Sequence, residues 1–289
     1  MSLKNTAKET LDILKVGKYI NQAGKTIEFL AAQQSAVKKT VLYTPQQSYV
    51  LLEQPAASTS KQQPQIEVTT ETTQVAANRL VRAEGCEDLV LLSFASARNP
   101  GGGFINGAKA QEEDLARCSG IYPCLLTQPT YYDINRAGES LLYSDHIIYS
   151  PNVPWFRVRN RELLDDVFLA SVITAPAPNA GQALRRDPEC SAAIAAALER
   201  RAGIVLAIAR DNGHRSLLLG AWGCGVFCND PSMVADAFGR WLEHPSFWGC
   251  FDRVVFAIYT SNRNSDTLTA FQQRFRSNIS SDEIQKRLI

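Results

Sequence analysis

Three segments, LVLLSFA (89–95), SLLLGA (216–221) and RVVFAIY (253–259), are almost continuously apolar rather than apolar at alternate positions. Successive side chains of a strand point to opposite faces, so an unbroken apolar run is stable only where both faces of its sheet are covered. The remaining sequence supplies the covering helices. Helical periodicity marks residues 5–16 (stopping at Gly17), 72–81, roughly 108–118, 191–213, 233–243 and 266–275, with further strands at IEVTT (66–70) and VFLASVITA (167–175). The pattern predicts a three-layer α/β/α sandwich around a mixed central sheet.

The flanks read less regularly. TIEFLAA (26–32) and KKTVLYT (38–44) have strand composition, and 45–65 is rich in Gln, Ser, Pro and Ala, as in an exposed loop, with YVLLEQP (49–55) as a short edge strand. The stretch between residue 118 and the strand at 167 reads as short strands and turns. A single domain over 1–289 is expected, with an N-terminal helical and strand extension at 1–64, a core at 65–275 and a tail at 276–289.

Charge restricts the partners. Thirty Lys and Arg against 29 Asp and Glu leave a net +1, so no overall field draws in nucleic acid or an anionic membrane, and any phosphate recognition must be local. The N-terminus lacks the apolar run of a signal peptide and no transmembrane stretch is present, which points to a soluble, cytoplasmic protein. Seven scattered cysteines without a CxxC pair indicate reduced thiols, and His146, His214 and His244 are too far apart in sequence to suggest a metal site.

Two of the buried strands release the chain into glycine-rich loops, at the carboxyl ends where open α/β sheets place ligands. In the first, Gly101, Gly102 and Gly103 let a ligand approach the main chain; in the second, GAWGCGVF (220–227) offers successive amides suited to a diphosphate. Neither fits GxGxxG or GxxxxGK[ST], and glycines after strands also make plain turns. Phe104 and Phe227 fit either stacking on a ribose or base or core packing, and Trp222 is open in the same way. Glu112 and Glu113 are adjacent, so on a helix they diverge by about 100° and cannot form the facing carboxylate pair of an ordinary retaining glycosidase. An acidic first helical turn supported by the helix dipole accounts for them equally well.

The segments LLSFASARNPGGGFINGAKAQEEDLARCSGIYPCL, YYDIN, YSPNVPWFR, TAPAPN and GAWGCGVFCNDP together resemble the microbial-type poly(ADP-ribose) glycohydrolases, whose catalytic domain is macrodomain-like. The resemblance spans essentially the whole chain. It implies hydrolysis of the ribose–ribose O-glycosidic bond of poly(ADP-ribose), exo-acting and releasing ADP-ribose from the chain terminus, with no metal or cofactor. By carry-over, Glu113 is the acid–base catalyst and Glu112 holds ribose hydroxyls. Substrate-binding positions are Asn99, Gly101, Gly102, Gly103, Phe104 and Gln111 around the terminal ribose, with Gly223, Cys224, Gly225, Val226 and Phe227 at the diphosphate and sugar. A Glu acting as acid near neutral pH needs a raised pKa, and burial beside a substrate diphosphate is one source of such a shift. Two other activities share the pocket: ADP-ribose binding without catalysis, and removal of single ADP-ribose units from protein or DNA.

Overall fold

The computed structural model describes residues 2–55, 62–159, 162–260 and 265–276. In chain order the elements are α1 (Leu3–Val16), β1 (Lys18–Ile20), β2 (Thr26–Glu28), α2 (Leu30–Lys39), β3 (Val41–Tyr43), α3 (Pro45–Glu53), β4 (Gln65–Thr69), α4 (Thr73–Asn78), β5 (Leu89–Phe94), α5 (Gln111–Cys118), α6 (Ile121–Leu126), α7 (Pro129–Ala137), β6 (Ile147–Val158), β7 (Glu162–Ala175), α8 (Ala180–Arg186), α9 (Ser191–Asp211), β8 (Ser216–Gly220), α10 (Pro231–Glu243), β9 (Arg253–Ala257) and α11 (Asp266–Phe275). A π-helical turn, Arg79–Ala83, prolongs α4. The described residues form two compact units, one from Met1–Pro45 and Thr73–Pro176, the other from Gln46–Thr72 and the chain from Ala177 onward.

In the first unit the strands lie in the order β3, β6, β7, β5. β3 and β6 pair antiparallel, as do β6 and β7, whereas β5 runs parallel to β7 with Val90 opposite Ser171. The first five residues of β5 are all buried, as its unbroken apolar sequence requires. Helix α1 is capped at both ends. Ser2 Oγ accepts from the Asn5 amide, and Gly17, at φ 68°, donates its amide to Ile13 O. A side chain at Gly17 would stand 2.5 Å from Leu30 Cβ. Beneath α1, Ile13, Leu14, Tyr19, Ile27, Phe29 and Phe156 form one cluster, with Phe29 and Phe156 stacked at 5.4 Å between centroids.

The second unit carries β8, β9 and β4, all parallel, with Val254 of β9 opposite both Leu217 and Ile66. Nearly every residue of β8 and β9 is buried, so both faces are covered. The close crossing of α9 and α10 depends on Gly203, where a Cβ would lie 2.5 Å from the Trp241 ring. Parallel and antiparallel strands covered by helices make this the mixed α/β class that the apolar runs predict.

Local readings fail where tertiary contacts override composition. TIEFLAA is strand only through Glu28; from Leu30 it is α2, whose buried Gln33 donates to Gly120 O at 2.9 Å. YVLLEQP is not an edge strand but the end of α3, which opens on Pro45 and buries Ser48 and Leu51 one turn apart. Arg210 donates to the carbonyls of Leu51 and Gln54 and so caps that helix. The expected short strands and turns after residue 118 are α6 and α7 followed by the long β6 and β7, and YYDIN lies within α7. The helix expected from 108 begins at Gln111. The run RVVFAIY is strand only through Ala257, and residues 277–289 of the expected tail lie outside the described residues.

Candidate active site

Helix α5 begins against the carboxyl end of β5 through the side chain of Gln111. Its Oε1 accepts the Phe94 amide at 2.9 Å, while Nε2 donates to Leu92 O at 2.8 Å and Thr73 Oγ1 at 3.2 Å. Gln111, expected among the ribose-binding residues, is thus a strut between strand and helix. Arg117, near the other end of α5 and fully buried, donates to Ala108 O at 2.8 Å and pairs with Asp114. These contacts fix the start of α5, and with it the next two residues.

The loop from β5 folds back over that start. Ser96 Oγ accepts the amides of Arg98 and Asn99, and Asn99 O accepts the Gly102 amide at 3.0 Å, so Asn99 serves the turn through its main chain while its side chain is exposed. Gly101 and Gly102 follow at φ 67° and 59°. Phe104 is fully buried and packs edge-on against Tyr122 at 4.8 Å, supporting the glycines from below; of its two readings, core packing holds.

Glu112 and Glu113 meet this loop together. Glu112 Oε2 accepts the Ser96 amide at 2.6 Å, and Glu113 Oε1 accepts the Gly103 amide at 2.9 Å. A Cβ at Gly102 would overlap Glu113 Oε1 and lie 3.2 Å from Glu112 Oε2. The 100° divergence along the helix is therefore compensated by a loop that wraps the helix end, and only a bare backbone fits between the carboxylates. Each is held through one oxygen: Glu112 Oε1 is buried without a partner among the described residues, and the Gly103 amide engages Glu113 through Oε1 rather than Oε2. Burial pushes the Glu112 carboxyl well above its ordinary range and the charge of Glu113 adds to this, against the opposing pull of the Ser96 and Gly101 amides. Tyr132, which the sequence reading did not single out, has its phenol pushed up by burial, with Tyr131 and then Glu112 adding to it; its buried hydroxyl has no partner among the described residues.

In the second unit, the loop after β8 carries Gly223, Cys224, Gly225, Val226 and Phe227. Trp222 is fully buried against Phe238 and belongs to the core. Gly223 takes φ 74°, and Val226 is 83% exposed. Among the described residues the amides of Gly223, Gly225 and Val226 have no acceptor, whereas Cys224 donates its amide to Ala221 O and Cys228 to Gly225 O. Unengaged amides gathered in one loop make an anion-binding concavity. Burial pushes the Cys224 thiol up to about 12, so it stays protonated. Phe227 is half-buried, and its carbonyl accepts the Gly181 amide at 2.9 Å. The histidines have local partners: His146 Nδ1 meets Ser144 Oγ and His244 Nδ1 accepts the Ser246 amide.

Sequence and fold are similar to those of known proteins. The family described as "Microbial-type PARG, catalytic domain" matches residues 7–158. A crystal structure of poly(ADP-ribose) glycohydrolase from Thermomonospora curvata is 44% identical, over 94% of this chain and 99% of that one, with a TM-score of 0.89. The structure of the Thermomonospora curvata protein bound to the inhibitor ADP-HPD is 43% identical over the same shares, with a TM-score of 0.87. A poly(ADP-ribose) glycohydrolase from Deinococcus radiodurans in complex with ADP-ribose is 43% identical over 85% of this chain and 97% of that one, with a TM-score of 0.77. No curated protein matches the chain.

Proposed function

The chain belongs to the microbial-type poly(ADP-ribose) glycohydrolase family, and from that premise we propose how its residues divide the hydrolysis of poly(ADP-ribose). Glu113 is the acid–base catalyst. In its protonated form it donates to the ribose oxygen leaving the anomeric carbon as oxocarbenium character develops; the resulting carboxylate then takes a proton from the water that adds to that carbon. The products are ADP-ribose and a polymer one unit shorter, so the enzyme works from the chain terminus.

The observation that carries this reading is the one-sided engagement of Glu113: its hydrogen bond from the Gly103 amide, at 2.9 Å, is made by Oε1 and not by Oε2. One oxygen sets the geometry and the other is left for proton transfer. Glu112 holds ribose hydroxyls. Burial favours its protonated form, which both donates and accepts, as a hydroxyl partner requires. The unengaged amides of Gly223, Gly225 and Val226 take the diphosphate, and Phe227 packs on the sugar. Gly101, Gly102 and Gly103 surround the terminal ribose. No helix among the described residues is long and apolar enough to cross a membrane, and the seven free thiols support a cytoplasmic setting.

The test is to incubate the protein with poly(ADP-ribose) and follow the products by size. Accumulation of ADP-ribose from the outset, with long chains shortening gradually, is expected. Mid-length fragments appearing first would overturn terminal action. Binding of ADP-ribose without polymer cleavage would reduce the protein to a binding module, for which Glu113 is superfluous.

A further inference from the structure

The loop after β8 is closed by a side chain outside the family-derived site. Asn229 is 2% exposed, and its Nδ2 donates to Pro178 O at 2.8 Å and to Gly223 O at 3.0 Å. Its own amide donates to the same Gly223 carbonyl at 3.1 Å. Gly223 is shaped to receive it: a Cβ there would stand 2.5 Å from Asn229 Nδ2 and 2.5 Å from Ala177 Cβ, and the φ of 74° disfavours other residues. Two further ties complete the closure, from the Gly181 amide to Phe227 O and from the Cys228 amide to Gly225 O, with Cys228 held at φ 55°. Residues 223–229 are therefore pinned at both ends and in the middle.

Two consequences distinguish this arrangement from a plain turn. The carbonyls of Gly223, Gly225 and Phe227 are consumed internally while the amides of Gly223, Gly225 and Val226 are not, which leaves those amides as the loop's free donors. In addition, Asn229 Oδ1 is buried with no partner among the described residues, a cost that a side chain present only to fill space would not incur. A residue that tolerates such a cost is keeping its neighbours in one geometry.

We infer that Asn229 is a positioning residue for phosphate recognition, clasping Gly223 to Pro178 so that the amides of the loop are held ready for the diphosphate of ADP-ribose. The inference rests on the assignment of this loop to the diphosphate and deepens it. A preformed nest needs no ordering when the ligand arrives, so losing the clasp weakens binding without touching the chemical step.

The experiment uses the full chain with Asn229→Asp, which keeps the shape but turns the donor facing two carbonyls into an acceptor. Because that variant strains the loop, Asn229→Ser is measured beside it, and only variants with a cooperative thermal transition are compared, well below their melting temperatures. The expected result is a rise of about tenfold or more in KM for the polymer and in Kd for ADP-ribose, with kcat within about twofold of the parent. Folded variants with parental KM and Kd, or with kcat lowered at unchanged KM, overturn the inference. Gly225→Val separates the two levels of the argument. If it weakens ADP-ribose binding while the Asn229 variants do not, the clasp fails and the diphosphate loop stands; if none of the three changes affinity, both fail.

Discussion

Gly102 and Glu113 are packed so closely that any side chain at the glycine would displace the carboxylate. A Cβ built on Gly102 falls 2.8 Å from Glu113 Cδ and overlaps Oε1, which the neighbouring Gly103 amide holds at 2.9 Å. The backbone there has a φ of 59°, so a substituent is disfavoured sterically and conformationally. Gly102→Ala is expected to cost about 1–2 kcal/mol of stability. Shifting the Glu113 carboxylate by about 1 Å should also lower kcat by roughly 10²-fold. A thermal melt and steady-state kinetics on the same preparation check both, and a folded Gly102→Ala enzyme with parental kcat would show that the carboxylate does not need this seat.

Glu112 ties stability to pH. Its carboxyl is raised in the folded protein because it is buried, so the neutral form is the one folding favours. A group raised in this way contributes stability below its unfolded pKa and loses it as pH rises through the folded value. Glu112→Gln removes that titration. The melting temperature of the variant relative to the parent should therefore increase steadily from acidic to alkaline pH, while binding of ADP-ribose is impaired throughout. A constant difference across the range would mean that Glu112 titrates as an ordinary exposed carboxylate.

The fold class was legible because it is carried by repeated local signals. Continuous apolar strands cannot exist without cover on both faces, and β5, β8 and β9 are covered. What composition could not reveal were elements decided by distant partners: α3 is completed by Arg210 from a helix about 150 residues away, and α2 is tied down by Gln33 against Gly120. The same division holds at the site. QEE after a triple glycine was readable as a motif, yet the reason for its glutamine was not, because the strut runs to main-chain atoms of β5 that no side-chain pattern encodes. Phe104 likewise has an identity but no sequence signal for which way it faces; packing on Tyr122 turns it inward.

That strut gives a third prediction. Gln111→Leu leaves the Phe94 amide and the Leu92 carbonyl without their side-chain partner at the end of a buried strand. Unsatisfied buried groups cost about 1–3 kcal/mol each, so a loss of roughly 2–4 kcal/mol is expected in denaturant unfolding. Activity should fall too, because the start of α5 carries both glutamates. If Gln111→Leu instead raised KM alone at parental stability, Gln111 would be a ligand contact rather than a strut.

The remaining prediction separates catalysis from binding at one position. Glu113→Gln keeps the size of the side chain and an oxygen able to accept the Gly103 amide, so the loop that rests on Oε1 should keep its geometry. The amide cannot give a proton to a leaving hydroxyl or take one from water. General acid–base catalysis of this kind contributes about 10²–10⁴-fold, and kcat for release of ADP-ribose should fall by at least the lower figure. Affinity for ADP-ribose, measured by calorimetry, should change by less than about threefold, because the diphosphate amides and Glu112 remain in place. Glu112→Gln provides the contrast, since its side chain is assigned to the ribose and its loss should raise Kd as well as lower turnover. A folded Glu113→Gln protein that releases ADP-ribose at a near-parental rate would move the proton-transfer role to another group, with Glu112, whose Oε1 has no partner among the described residues, the first to be tested.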